Sequence, residues 1–274
     1  MDIALFSMFV INKTSKLHYT VAGSGPQPLL LFHGFGQDHK VFKSLTEVLE
    51  HRYTLYSFDL YFHGQSSWNL DEQPLEKSVW KQTMLQFLAE NKLENFSLAG
   101  FSMGGKFVLA TLEAFPKQTK EIFLLAPDGI KTSFWYSLAT YPIVLRKVFR
   151  SMVHHPKRFN SLVRVLQQLN LLNNGLGKFA EHQMNSEEKR IKVYYSWVVF
   201  RHLKFNLDHL CNLINEYQVA TTLLVGKYDM VIKANEMNRF LKKVKKYHLE
   251  IIETGHNGLL SKSVEFFRQH YNSC

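Results

Sequence analysis

Apolar and polar residues follow three different patterns along the chain, and the changes between them divide it into blocks. Up to about residue 130, Phe9-Val10-Ile11 and Leu17-His18-Tyr19-Thr20-Val21 alternate at the two-residue period of strands, with residues 12–16 as a hairpin connection. Pro28-Leu29-Leu30-Leu31-Phe32 is instead an unbroken apolar run, which predicts a strand buried on both faces of a parallel sheet. Further strands are expected at 53–58, 95–99 and 121–126. Helices are expected at 41–49, 75–90 and 104–114. Strand and helix alternating at such short intervals predict βαβ units.

Between 131 and 215 this alternation stops. Val163, Leu166, Leu169 and Leu172 recur at helical spacing, as do Tyr194, Trp197, Val198 and Arg201. Pro142 and Pro156 cut the stretch into several short helices. The alternation then resumes, with strands at 221–225 and 249–252 and helices at 235–241 and 263–270. The expected organisation is one α/β core built from 1–130 and 216–274, interrupted by an all-helical insertion at 131–215.

Composition narrows this picture. The chain has 274 residues, of which 46% are hydrophobic and 20% charged, and this excludes a disordered or coiled-coil protein. No apolar run approaches the roughly 18 residues of a membrane span. The opening MDIALFSMFV lacks the basic and small-residue features of a signal peptide. Cys211 and Cys274 form no disulfide framework, so a reducing, cytoplasmic setting is expected. The net charge of +10 is unevenly spread: residues 131–215 hold 13 Lys and Arg against 4 Asp and Glu, leaving only +1 for the rest. A solvated helical face accounts for such a cluster, and no nucleic-acid partner is expected.

Gly100-Phe101-Ser102-Met103-Gly104 carries the first chemistry. It matches G-x-S-x-G between an expected strand and an expected helix, where small flanking residues let the backbone turn sharply and project the serine Oγ. The same stretch reads as G-x-x-x-x-G-K. Phe107 stands where a phosphate loop needs Ser or Thr, so that reading fails. His33-Gly34-Phe35-Gly36 follows the strand ending at Phe32. Its glycines free the Phe35 N–H which, with that of Met103, would form an oxyanion hole. Asp229 and His256 each follow a late strand, giving the order Ser, Asp, His. A serine hydroxyl needs an imidazole base, and the imidazole needs a carboxylate to fix its tautomer. Asp128 in Pro127-Asp128-Gly129 is the rival acid. Asp59 and His63 are expected to brace their own loop by hydrogen bonds. No His or Cys cluster has ligand spacing, so no metal and no organic cofactor are expected.

On these four ordered motifs, across residues 8–130 and 216–272, the chain resembles the α/β-hydrolase superfamily, in its branch with a helical lid. The resemblance implies a mostly parallel eight-stranded sheet flanked by helices, with the lid inserted after the sixth strand. It assigns the triad roles to Ser102, Asp229 and His256. The sequence departs from the common pattern at Phe101, where relatives often carry His. It departs again at Asp59-Leu60-Tyr61-Phe62-His63-Gly64-Gln65-Ser66, where they often read D-x-R-G-H-G-x-S. With Ser102 at the elbow, relatives that use Asp as nucleophile are disfavoured.

The insertion is rich in aromatics, among them Phe134, Trp135, Tyr194 and Trp197, which favours an apolar or acyl substrate. The expectation is a serine hydrolase acting on a small-molecule carboxylic ester or thioester, as monomer or homodimer. Weak membrane-surface contact by the basic lid is a second use for its charge. Acyl transfer, lyase or carbon–carbon cleavage chemistry on the same triad stays open, as does a ligand receptor with slow turnover.

Overall fold

A computed structural model describes residues 6–131, 134–155, 157–158, 161, 164–165, 168 and 184–272. Eight strands form one sheet: β1 (Phe6–Asn12), β2 (Ser15–Ala22), β3 (Gln27–Phe32), β4 (Tyr53–Phe58), β5 (Phe96–Phe101), β6 (Thr119–Leu125), β7 (Ala220–Gly226) and β8 (His248–Ile252). Their spatial order is β1-β2-β4-β3-β5-β6-β7-β8. β1 and β2 run antiparallel to their neighbours, and every later pairing is parallel. The helices are α1 (Lys43–Leu49), α2 (Lys77–Glu90), α3 (Gly104–Ala114), α4 (Phe134–Thr140), α5 (Ile143–His154), α6 (Glu187–Val199), α7 (Leu207–Glu216), α8 (Asn238–Leu241) and α9 (Leu259–Asn272). Among the described residues no helix is long and apolar enough to cross a membrane.

Burial explains why the central strands read as continuous apolar runs. β5 is buried at every position and β3 over its last four, because helices cover both faces of the sheet. On one face Phe32 stacks on Phe58 with ring centroids 5.2 Å apart. Trp80 of α2 meets Phe107 of α3 edge-on at 4.9 Å, and its indole N–H donates to Thr111 Oγ1 at 3.0 Å. On the other face Leu29, Leu31, Phe101 and Phe123 share a core with Leu45 and Leu49 of α1 and Phe267 of α9. Burying each such side chain stabilises the fold by about 1.5–3 kcal/mol.

The structure differs from the sequence expectation in detail. Asn12 pairs directly with Ser15, so the hairpin turn is only Lys13-Thr14, with Lys13 at φ +55°. α9 starts at Leu259 rather than 263, because Leu259 and Leu260 are themselves core residues. The helical spacing of Val163, Leu166, Leu169 and Leu172 lies outside the described residues.

The chain divides into two compact units. One holds residues 1–70, 76–131 and 203–274; the other holds 71–75 and 132–202. α7 therefore belongs with the sheet, not with the insertion as its boundary at 215 implied. Its Leu210, Cys211 and Ile214 are buried, and Asn215 binds the Lys243 carbonyl and the Lys245 N–H, each at 2.8 Å. Residues 71–75 join the second unit through Glu72, which accepts from Tyr194 Oη at 2.7 Å and Arg150 Nη1 at 3.1 Å. The Leu75 N–H also donates to the Val199 carbonyl at 2.8 Å.

Candidate active site

The sheet itself locates the site. After β3 the chain moves to one side to make β4, then returns to make β5 on the other side, so the two connections diverge beyond the carboxyl ends of β3 and β5. A crevice opens at such a switch point, and ligands of open α/β sheets bind there. Residues 33–36 leave β3 and residue 102 leaves β5 at this place.

Ser102 sits between β5 and α3 at φ +51°, a backbone conformation that L-residues rarely adopt. Its N–H donates to the Leu125 carbonyl at 2.9 Å, and its own carbonyl accepts from Gly105 and Asp128, both at 2.8 Å. Those bonds hold the strained turn. Gly104 makes the turn possible, since a Cβ there would lie 2.0 Å from the Phe32 carbonyl oxygen and 2.9 Å from that of His33. The same proximity brings the start of α3 against the segment leaving β3.

Asp229 and His256 reach this point from the last two strands. The loops after β7 and β8 are tied together, with Lys227 N–H on the Ile252 carbonyl at 2.9 Å and Tyr228 N–H on Thr254 at 3.0 Å. His256 Nε2 lies 2.9 Å from Ser102 Oγ, and its Nδ1 lies 2.6 Å from Asp229 Oδ2. Asp229 is 4% exposed, and its other oxygen accepts the N–H groups of Val231 and Ile232 at 2.8 Å each. The carboxylate is thus aimed by its own loop. Asp128, the rival acid, is instead 3.0 Å from Lys106 Nζ.

Phe35 and Met103 are the expected oxyanion donors through their backbone N–H groups. Gly34 N–H donates to Gln37 Oε1 at 2.9 Å, and Gly36, at φ +76°, donates to His63 Nε2 at 3.0 Å. Among the described residues no protein acceptor meets the Phe35 or Met103 N–H. The N–H groups on either side of Phe35 are satisfied, as is that of Ser102. Phe101 lies at 5.1 Å and 32° from the His256 ring, so the aromatic that replaces the common His packs on the imidazole. This contact depends on the loop after β8, so spacing along the chain does not reveal it.

Sequence reasoning missed a cluster around Asp59. Asp59 Oδ2 accepts from His18 Nδ1 and Gln65 N, and Oδ1 from His39 Nδ1 and His39 N, at 2.7–2.8 Å. Burial would raise this carboxyl, but the four hydrogen bonds outweigh it and hold Asp59 well below the carboxylate range. Among the described residues, His18, His39 and Asp59 are also the one group of three whose ligand atoms come close enough for a metal ion. Two of the four donors to the carboxylate are backbone N–H groups, one on each oxygen. The cluster's members lie 20 to 41 residues apart, and nothing in their spacing relates them.

The family model for the alpha/beta hydrolase fold matches residues 27–263. The chain belongs to the α/β hydrolase fold family. It is 24% identical over 260 residues to Lipase 1 of Psychrobacter immobilis, covering 89% of this chain and 74% of that protein. It is 26% identical to Putative esterase/lipase 2 of Mycoplasma pneumoniae, covering 78% and 75% of the two chains. Its match to an uncharacterized protein of Mycobacterium tuberculosis spans only 36% of that protein's length. The structure superposes on a thermophilic esterase from Thermogutta terrifontis with a TM-score of 0.69 at 16% identity, covering 98% and 97% of the two chains.

Proposed function

We propose that this α/β hydrolase cleaves a carboxylic ester or thioester through an acyl-enzyme, with Ser102 as nucleophile, His256 as general base and Asp229 as its orienting carboxylate. The supporting observation is the unbroken line of contacts from Ser102 Oγ through the His256 ring to Asp229. As Ser102 Oγ attacks the carbonyl carbon, His256 Nε2 takes its proton, and the buried Asp229 stabilises the imidazolium. The oxyanion is received by the N–H groups of Phe35 and Met103; losing one such donor typically costs about 2.7–4 kcal/mol in the transition state. His256 then protonates the departing alcohol or thiol. Water, activated by the same imidazole, releases the acid and restores Ser102.

The lipase and esterase names among the relatives support an acyl substrate, and the aromatic content of the insertion supports an apolar one. We further propose that the insertion serves as a lid, that it touches anionic membrane surfaces weakly, and that the protein works in the cytoplasm. The buried Cys211, whose thiol is pushed up to about 11 by burial, fits a cysteine with no redox task.

Turnover of a series of p-nitrophenyl esters of increasing acyl length tests the reading. Wild type should hydrolyse at least one of them, and Ser102→Ala should fall to the uncatalysed background. Equal rates for the two proteins would overturn it.

A further inference from the structure

Two buried imidazoles beside the oxyanion loop take no part in the proposed proton relay. His33 is 0% and His63 is 2% exposed, and their rings lie 5.2 Å apart. The Leu60 N–H donates to His33 Nε2 at 2.9 Å, and His33 Nδ1 is 2.7 Å from the Gly34 carbonyl. The Gly36 N–H donates to His63 Nε2 at 3.0 Å, and His63 Nδ1 is 3.0 Å from the Tyr61 carbonyl. A backbone N–H can only donate and a carbonyl can only accept. Each ring must therefore carry its proton on Nδ1 and offer a bare Nε2, so both are neutral. Burial, the largest cause, pushes His33 down to about 3, which agrees with a neutral ring.

These bonds fall on consecutive peptide units. In a trans peptide the C=O and the following N–H point in opposite directions. The His33 bond to the Gly34 oxygen therefore aims the Phe35 N–H the other way. That peptide can still rotate if the next one is loose. The next peptide carries the Gly36 N–H, and His63 Nε2 holds it. The Phe35 ring also stands edge-on to the His63 ring at 5.4 Å, so one imidazole restrains both the backbone after Phe35 and its side chain.

We propose that His63 is a positioning residue for the reaction, holding the Phe35–Gly36 peptide through a neutral, Nδ1-protonated ring so that the Phe35 N–H is preorganised for the oxyanion. This rests on the reading of Ser102 and Phe35 given above and adds to it a residue that contacts no reacting atom. Misplacing a preorganised group by about 1 Å can cost up to ~10²-fold in rate.

The test compares His63→Phe, which keeps an aromatic ring without an acceptor, with His63→Gln, whose amide oxygen can still accept. On the ester that wild type turns over best, kcat should fall about 10–10²-fold in His63→Phe with KM within about twofold. His63→Gln should recover part of the loss. Nitrogen NMR of the wild-type imidazoles reads the same bond without activity: the His63 Nε2 should be unprotonated and coupled to the Gly36 amide proton. A protonated Nε2 would overturn the proposal even if the variants fail to fold. A folded His63→Phe with wild-type kcat would overturn it while leaving the triad reading intact. Wild type without Ser102-dependent turnover would overturn both.

Discussion

Asp229 presents one oxygen to His256 Nδ1 and the other to two backbone N–H groups, so its orientation is fixed before any substrate arrives. An amide in its place would keep the shape but could turn its NH₂ toward the imidazole and favour the wrong tautomer. Asp229→Asn should therefore lower kcat by about 10³–10⁴-fold, with little change in KM or melting temperature. Asp128→Asn, which disturbs the pair with Lys106, should change kcat far less; the reverse ranking of these two variants would reassign the acid. His33 gives a second prediction, about stability. Its ordinary value is 6.5, while in the folded protein it is lowered to about 3, chiefly by burial. Between those values the unfolded chain binds a proton that the folded one refuses. Stability should thus be full above about pH 6.5 and should fall as the pH drops toward 3, by a few kcal/mol at pH 4. Asp59, depressed in the fold, works in the same direction, losing its contribution as the pH falls below the ordinary carboxylate value of 3.8. Thermal melts from pH 7 to 4 should show this decline, with a shallower slope for His33→Gln. Parallel slopes for the two proteins would count against it. The meeting of Ser102, Asp229 and His256 was legible because each follows a strand whose apolar run is plain in the sequence. The hub of Asp59, His18 and His39 was not, because its members meet only once β2, β3 and β4 are paired.

Among the elements, α5 carries a feature that the amphipathic pattern of a core-facing helix does not require. Its Phe149 and Val153 are buried, while Ile143, Val144 and Val148 are 62%, 71% and 45% exposed. Lys147 is exposed beside them, and Arg150 remains half-exposed although paired with Glu72. Apolar residues fringed by cations suit the boundary of an anionic lipid surface. The chain should co-sediment with phosphatidylglycerol-containing vesicles more than with purely zwitterionic ones. Added salt should weaken that binding, and the double variant Ile143→Asp, Val144→Asp should lose it. Equal recovery with both vesicle types would remove the membrane-contact proposal. The strands were the most legible elements, since β3, β5 and β7 are buried along nearly their whole length and must be apolar throughout. The starts of helices were less legible. A 3₁₀ turn precedes α1 at His39–Phe42 and α8 at Ala234–Met237. Both carry the same apolar spacing as the α-helix they lead into, so periodicity alone merges them.

For the molecule as a whole, the sheet order gathers the proposed catalytic groups at the carboxyl ends of β3, β5, β7 and β8. Each delivers one component within a few residues of its last paired position: the Phe35 N–H, Ser102, Asp229 and His256. The parallel core was legible because strand and helix alternate along most of the chain. The division into units was less so, because the ties of α7 to Lys243 and Lys245, and of Glu72 to Tyr194 and Arg150, are single side-chain bonds between distant residues. The proposed function depends on this arrangement activating Ser102. Intact mass after exposure to a fluorophosphonate, for wild type and Ser102→Ala side by side, addresses it most directly. One phosphonyl adduct is expected on the wild-type protein and none on the variant. A folded wild-type protein that gains no adduct, or a variant that gains the same one, would contradict it.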